Sequence, residues 1–202
     1  MRRKMTVALT ALVIGGGGLL GLIVMVTHGF SARDDPTAVE VWLARSLRHL
    51  AVPRPLRIVT NPVPGGPESL SKARAHFADH CALCHGNDGK GQTQIGQNMY
   101  PKAPDMTAGS TQDLSDGELF YIIKNGVRLT GMPAWGEDTP EDDVESWNLV
   151  HFIRHLPELN AGEVQLMEEL NPRTRAEFEE EEEIRRFLDG GDPTPSPPPR
   201  HH

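Results

Sequence analysis

The stretch Cys81-Ala82-Leu83-Cys84-His85 constrains this chain more than any other feature of its sequence. It holds the only two cysteines among 202 residues. Cys-x-x-Cys-His is the attachment signature for a c-type haem. Two thiols add across the two haem vinyl groups, and two intervening residues in a helical turn match the vinyl separation. The adjacent histidine then points at the iron. A thioredoxin-like pair would sit at a helix start after a strand and needs no histidine. A structural zinc site needs four ligands, usually as two pairs, and there is no second cysteine pair. A disulfide across two residues closes a tight loop and is disfavoured. The motif therefore predicts one covalent haem c held by Cys81 and Cys84, with His85 as proximal ligand.

The rest of the sequence must supply a small core around that group. The hydrophobic fraction is 38%, low for a wholly globular chain, and part of it lies in one N-terminal run. That run, Thr6 to Val26, follows Arg2, Arg3 and Lys4. As a helix it would span about 32 Å, enough for a bilayer core of roughly 30 Å. It exceeds the roughly 7–15 residues of a signal-peptide core, so it reads as an uncleaved single-pass anchor. The preceding positive cluster should remain in the cytoplasm. The expected location is a bacterial inner (cytoplasmic) membrane with the remainder on the periplasmic side. The formal charge of −8 argues against a nucleic-acid partner, because phosphates demand a basic face.

Four segments are expected: 1–30 as the anchor, 31–67 as a juxtamembrane amphipathic helix and linker, 68–157 as the haem domain, and 158–202 as an acidic helical segment with a disordered proline-rich tail. In the second segment Val39, Trp42, Leu43, Ser46, Leu47 and Leu50 follow helical spacing. This helix would lie on the membrane surface or pack on the head. Ala51 to Pro67 carries five prolines and Gly65-Gly66, and an extended run of that kind would reach about 50 Å.

The head is expected to be all-α. One helix spans about Leu70 to Cys84. Another starts at Ser115 with a capping box to Glu118 and stops at Asn125-Gly126. A third starts at Thr139-Pro140 with Asp142 in its first turn. Beyond the head, 163–170 and 175–188 read as helical. His201-His202 ends the chain and carries no argument. The i,i+4 pairs His76/His80 and His151/His155 read as solvated faces before they read as metal edges.

The iron's sixth position needs a second ligand. Met132, held between Gly131 and Pro133 in a loop, is the preferred candidate. Met99 and Met106 are expected to pack at the haem edge instead. A thioether opposite histidine favours ferrous iron and raises the potential. Tyr100, Trp135 and Asn98 are candidates for hydrogen bonds to the haem propionates or for packing at its edge.

The Cys81–His85 motif, the Gly131-Met132-Pro133 loop and the pattern Trp147-x-x-Val150-x-Phe152-Ile153-Arg154-x-Leu156 together resemble the class I c-type cytochromes. The resemblance covers about ninety residues, from 68 to 157, and not the anchor, linker or tail. It implies a crossing of the first and last head helices, here Ala73 and Phe77 against Phe152. It also implies a proline carbonyl that accepts the proximal histidine Nδ1–H; Pro101 and Pro104 both fit, and Pro101 is preferred.

With both axial positions filled, no small-molecule substrate and no catalysis are expected. The expected role is single-electron transfer between redox protein partners in or at the membrane. The head from 67 to 157 has 7 Lys and Arg against 13 Asp and Glu, so a partner with a basic docking face is expected. Two other roles stay open: a fixed haem subunit of a larger redox complex, or a haem sensor or peroxidase in which Met132 leaves the iron.

Overall fold

The computed structural model describes residues 2–28 and 31–190. The expected proline-rich tail and the His201-His202 end lie outside the described residues. Those residues form helices and connecting loops, with no strand among them.

The anchor helix α1 runs Arg2–His28, and α2 runs Ala38–Ala51. The head comprises α3 (Pro67–His76), α4 (Ala82–His85), the short α5 (Gln94–Gln97) and α6 (Gly109–Gln112), then α7 (Asp116–Asn125) and α8 (Pro140–His155). It is followed by α9 (Ala161–Glu168) and α10 (Arg175–Leu188).

Local chemistry places the two central helices where the sequence predicts. The Ser115 hydroxyl accepts from the Glu118 N–H while the Glu118 carboxylate accepts from the Ser115 N–H, and Gly126 ends α7 at φ 64°. Thr139 caps α8 through the Asp142 N–H, with Pro140 in the first turn. Each cap satisfies amides that a helix leaves without internal partners.

The core forms where α3 and α7 pack on α8. Ala73 lets α3 approach α8 closely, and the Phe77 and Phe152 rings meet at 5.0 Å between centroids. Phe120 of α7 stacks on Trp147 of α8 at 4.2 Å and 9°. Arg154 of α8 reaches back to the start of α7. Its Nε donates to Asp116 Oδ1 at 3.0 Å, and its guanidinium donates to the Gln112 and Leu114 carbonyls.

Two segments differ from expectation. Residues 52–66 do not run free as a linker but lie as a strap across α7 and α8. Val52 is buried, and Val59 and Val63 pack against the core. The Asn61 amide donates to the Trp147 carbonyl at 2.8 Å, and His151 Nε2 donates to the Val63 carbonyl at 2.8 Å. The Leu56 carbonyl presses on Gly117, where a Cβ would lie 1.8 Å from its oxygen. The reason is apolar spacing: Val52, Leu56, Val59 and Val63 recur every three or four residues and gain by leaving water. The prolines shape the strap without freeing it.

The second difference is α9. Met167 is fully buried in the head core, and Glu163 accepts from His155 Nε2 at 3.0 Å and pairs with Arg74 at 3.5 Å. The packed head therefore extends past 157, because one inserted methionine outweighs the polar character of the segment around it.

Candidate haem-binding site

The signature motif sits at the end of a helix that changes pitch. After α3 the backbone widens into a π-helical turn, Phe77–Cys81, and then tightens into α4. The Ala82 N–H reaches back to the Phe77 carbonyl across that turn. Such one-turn bulges rotate every residue beyond them and recur at functional sites. Here the turn leads from the buried Phe77 and Ala78 into the motif, with Cys81 partly buried against the same core.

The chain leaves α4 through Gly86, at φ 73°, and folds back over the motif. The Gly91 N–H donates to the His85 carbonyl at 2.7 Å. The Thr93 hydroxyl donates to the Cys84 carbonyl at 3.0 Å. Gly96 passes so close that a Cβ would lie 2.2 Å from that carbonyl oxygen. The loop thus satisfies the helix-end carbonyls and clamps the motif.

Both cysteines are free thiols. Burial, and then the neighbouring Cys84, push Cys81 up to about 12, and burial raises Cys84 as well. A dithiol redox site has the opposite character, with one thiol depressed. Among the described residues no group of three or more His, Cys, Asp and Glu is placed to hold a metal ion. Burial also holds His85 below its ordinary value, so the ring is neutral, as iron ligation requires. Its Nδ1 is buried and unpaired, and the backbone that bears on the ring is that of Pro104. Gly91, whose N–H holds the His85 carbonyl, packs on the Ala103 and Pro104 carbonyls and brings that backbone to the ring. Both Pro101 and Pro104 are exposed at the surface, and Pro104, not the preferred Pro101, is the one whose backbone bears on the His85 ring.

Met132 lies in a closed loop at the end of α7. Its carbonyl accepts from the Val127 N–H at 3.1 Å and its N–H donates to the Thr130 hydroxyl at 3.1 Å. Gly126 packs against the Pro133 backbone, and the Trp135 N–H donates to the Ile123 carbonyl at 3.2 Å. The Trp135 ring stacks on His80, 5.3 Å between centroids, which brings the Met132 loop beside the residue that precedes Cys81. Met99 touches the same loop: a Cβ on Gly131 would lie 2.3 Å from its sulfur. Met106 is a core residue.

Leu83, Ile95, Tyr100 and Leu129, carried on the motif and the surrounding loops, are exposed apolar side chains that a flat macrocycle would cover. Two free thiols one turn apart, a neutral histidine with its Nδ1 buried, and this apolar surround fit a covalently held haem.

The remaining sequence candidates find other partners. The Tyr100 hydroxyl sits beside Glu40 of α2, and burial and that carboxylate raise it. Asn98 donates to the Gln94 carbonyl at 2.7 Å. His76 and His80 form an aromatic cluster with Trp135, and His151 and His155 bond to the strap and to α9. The π turn and the Pro104 contact carry no recognisable sequence signal. The close glycines Gly91 and Gly96 do carry one, in a loop rich in that residue.

Residues 68–153 match the family model described as cytochrome c oxidase, cbb3-type, subunit III. The head is a c-type cytochrome domain. Among curated proteins the chain is 30% identical over 126 residues to the cbb3-type cytochrome c oxidase subunit FixP of Azorhizobium caulinodans, covering 60% of this chain and 41% of that protein. It is 33% identical over 81 residues to FixP of Rhizobium meliloti, covering 38% of this chain and 26% of the relative. The chain thus spans well under half the length of these relatives. Among the described residues the chain carries one helix, over Arg3–Val24, long and apolar enough to cross a membrane.

Proposed function

We propose that this chain passes single electrons through one haem c, bound to Cys81 and Cys84, ligated by His85 and Met132, and held at a bacterial inner membrane on its periplasmic side. The supporting observation is the His80–Trp135 stack, which sets the Met132 loop beside the attachment helix. The group supplies reversible one-electron chemistry at iron. The protein keeps His85 neutral by burying it beside the Pro104 backbone and holds Met132 in a loop closed at both ends. A rigid ligand pair lowers the reorganisation that electron transfer must overcome, and filled axial positions exclude small-molecule substrates. On this reading the chain is an electron carrier rather than an enzyme in its own right.

Between a mobile shuttle and a fixed subunit, the docked strap favours the fixed subunit, because the reach a shuttle needs is folded onto the head. The relatives, cbb3-type oxidase subunits, agree with it. The test is purification of the native protein in mild detergent, followed by absorption spectra with and without Met132→Ala. A stable complex with a sulfur-to-iron band that the variant loses supports the proposal. A lone protein returns the shuttle reading. Carbon monoxide binding to the native reduced protein would point to a sensor or peroxidase.

A further inference from the structure

The strap and α2 leave one surface without a partner. On α2, Val39, Trp42, Leu43, Leu47 and Leu50 are all exposed, at 72%, 68%, 48%, 56% and 67%. At 100° per residue they lie within one arc of about 140°. The opposite face holds the half-buried Val41 and Arg48, and the buried Val52 follows it. The contacts from α2 to the head are polar and come from the flanks. His49 Nδ1 donates to the buried Glu118 at 2.6 Å, and Glu40 sits beside Tyr100. Lys102 donates to Asp35 at 2.5 Å just ahead of the helix. A capping box between Thr37 and Glu40 fixes where the helix begins. Thus α2 meets the head with its polar flanks and turns its apolar stripe away.

We propose that this stripe lies in the headgroup–acyl boundary of the bilayer that α1 crosses, so that α2 and the docked head form one rigid body resting on the membrane. The proposal rests on reading α1 as a membrane span. Nine residues, 29–37, join α1 to α2. Fully extended they reach no more than about 35 Å, so α2 cannot leave the vicinity of the bilayer. An apolar stripe with a tryptophan on its border is the composition of an interfacial helix. The same stripe in water would be an unusual exposed patch. The loop held by α2 and its approach, residues 94–102, is the loop that clamps Cys84. Seating α2 would therefore set the height of the haem motif above the membrane as well as its orientation.

The test uses the full haem-loaded chain in phosphatidylcholine nanodiscs. With both native cysteines in thioether bonds, a single new cysteine takes a nitroxide label. The ferrous low-spin iron is diamagnetic and leaves the label's relaxation undisturbed. Labels go at Leu43→Cys and Leu50→Cys on the stripe, at Ala44→Cys off it, and at Leu12→Cys in α1. An unchanged haem spectrum confirms that each variant is folded. The expected result is a ratio of oxygen to aqueous nickel-chelate collisions several-fold higher at 43 and 50 than at 44. Equal ratios at all three α2 sites would overturn the proposal in favour of a water-exposed helix. Stripe labels shielded from both reagents would overturn it in favour of a protein partner or a second copy. A label at 12 that meets nickel chelate freely would overturn the span itself, and so separates that failure from failure at α2.

Discussion

Replacing Gly117 by alanine distinguishes a docked strap from a free linker by the sign of its effect. Gly117 lies in the first turn of α7. If residues 52–66 were a loose tether, the substitution would relieve the entropic cost of a helical glycine and stabilise the head by up to about 1 kcal/mol. In the structure a Cβ at this position would lie 1.8 Å from the Leu56 oxygen and 2.8 Å from its carbonyl carbon. Both are backbone atoms, so no rotamer change relieves the clash. Ordinary contact requires the strap to move on the order of 1.5 Å, given how little a packed interior yields. That displacement strains the Asn61 bond to Trp147 and the His151 bond to Val63, each worth about 0.5–1.5 kcal/mol. Overpacking adds about 1–3 kcal/mol. Subtracting the helix gain leaves a net destabilisation of roughly 1–3 kcal/mol, on the order of 10 °C in Tm for a head of this size. Guanidinium unfolding in mild detergent, followed by the haem Soret band and far-UV circular dichroism, measures it. Hydrogen exchange over 52–66 should rise in the same variant. A Gly117→Ala protein as stable as wild type, with unchanged exchange in the strap, would refute the docked arrangement.

Three further outcomes follow from the same geometry. Met132→Ala should abolish the sulfur-to-iron band, open the reduced iron to carbon monoxide, and lower the potential on the order of 0.2 V, within the roughly 0.8 V that axial ligands command; a spectrum unchanged from wild type would move the ligand to Met99, which touches the same loop. Phe152→Ala, at the α3–α8 crossing, should cost about 3–5 kcal/mol by chemical denaturation. Burial raises the Glu118 carboxyl, but the Ser115 N–H and His49 hydrogen bonds outweigh it and leave the group below 4.5. A depressed carboxylate contributes stability above its unfolded value and loses it as pH falls through the folded one. Glu118→Gln should therefore be less stable than wild type by about 1–2 kcal/mol at neutral pH, and the gap in Tm should close below about pH 4.5.

What was legible in the sequence was what depends on neighbours along the chain. The haem motif is five consecutive residues whose chemistry needs no tertiary context. The caps of α7 and α8 are hydrogen bonds within one turn, so Ser115, Glu118, Thr139 and Pro140 announced them. What was illegible depends on where other segments run. Whether Pro101 or Pro104 meets His85 is decided by the path of the loop over Gly91 and Gly96. The π turn at 77–81 lies between Phe77, packed against Phe152, and a motif clamped by residues 91–96, both of them long-range contacts. The prolines of 51–67 masked the spacing of Val52, Leu56, Val59 and Val63. Met167 was hidden because a lone apolar side chain leaves no periodicity in an acidic segment.

The docked strap also changes what the long connection is for. A flexible tether of this length would let the head diffuse between partners, and its rate would follow the effective concentration the linker sets. Here the segment between α2 and α3 is consumed by contacts: Arg57 donates to the Leu50 and Val52 carbonyls, Asn61 to Trp147, and Val63 accepts from His151. Apart from the Arg57–Val52 bond, which lies within the strap, each joins α2 to the strap or the strap to the head. With α2 seated as proposed above, the head would be held at one height and tilt over the bilayer. Electron transfer from such a head is governed by fixed distance and orientation to a partner seated beside it. Strap substitutions should then alter the rate by changing geometry, even where the haem's potential and ligation are untouched.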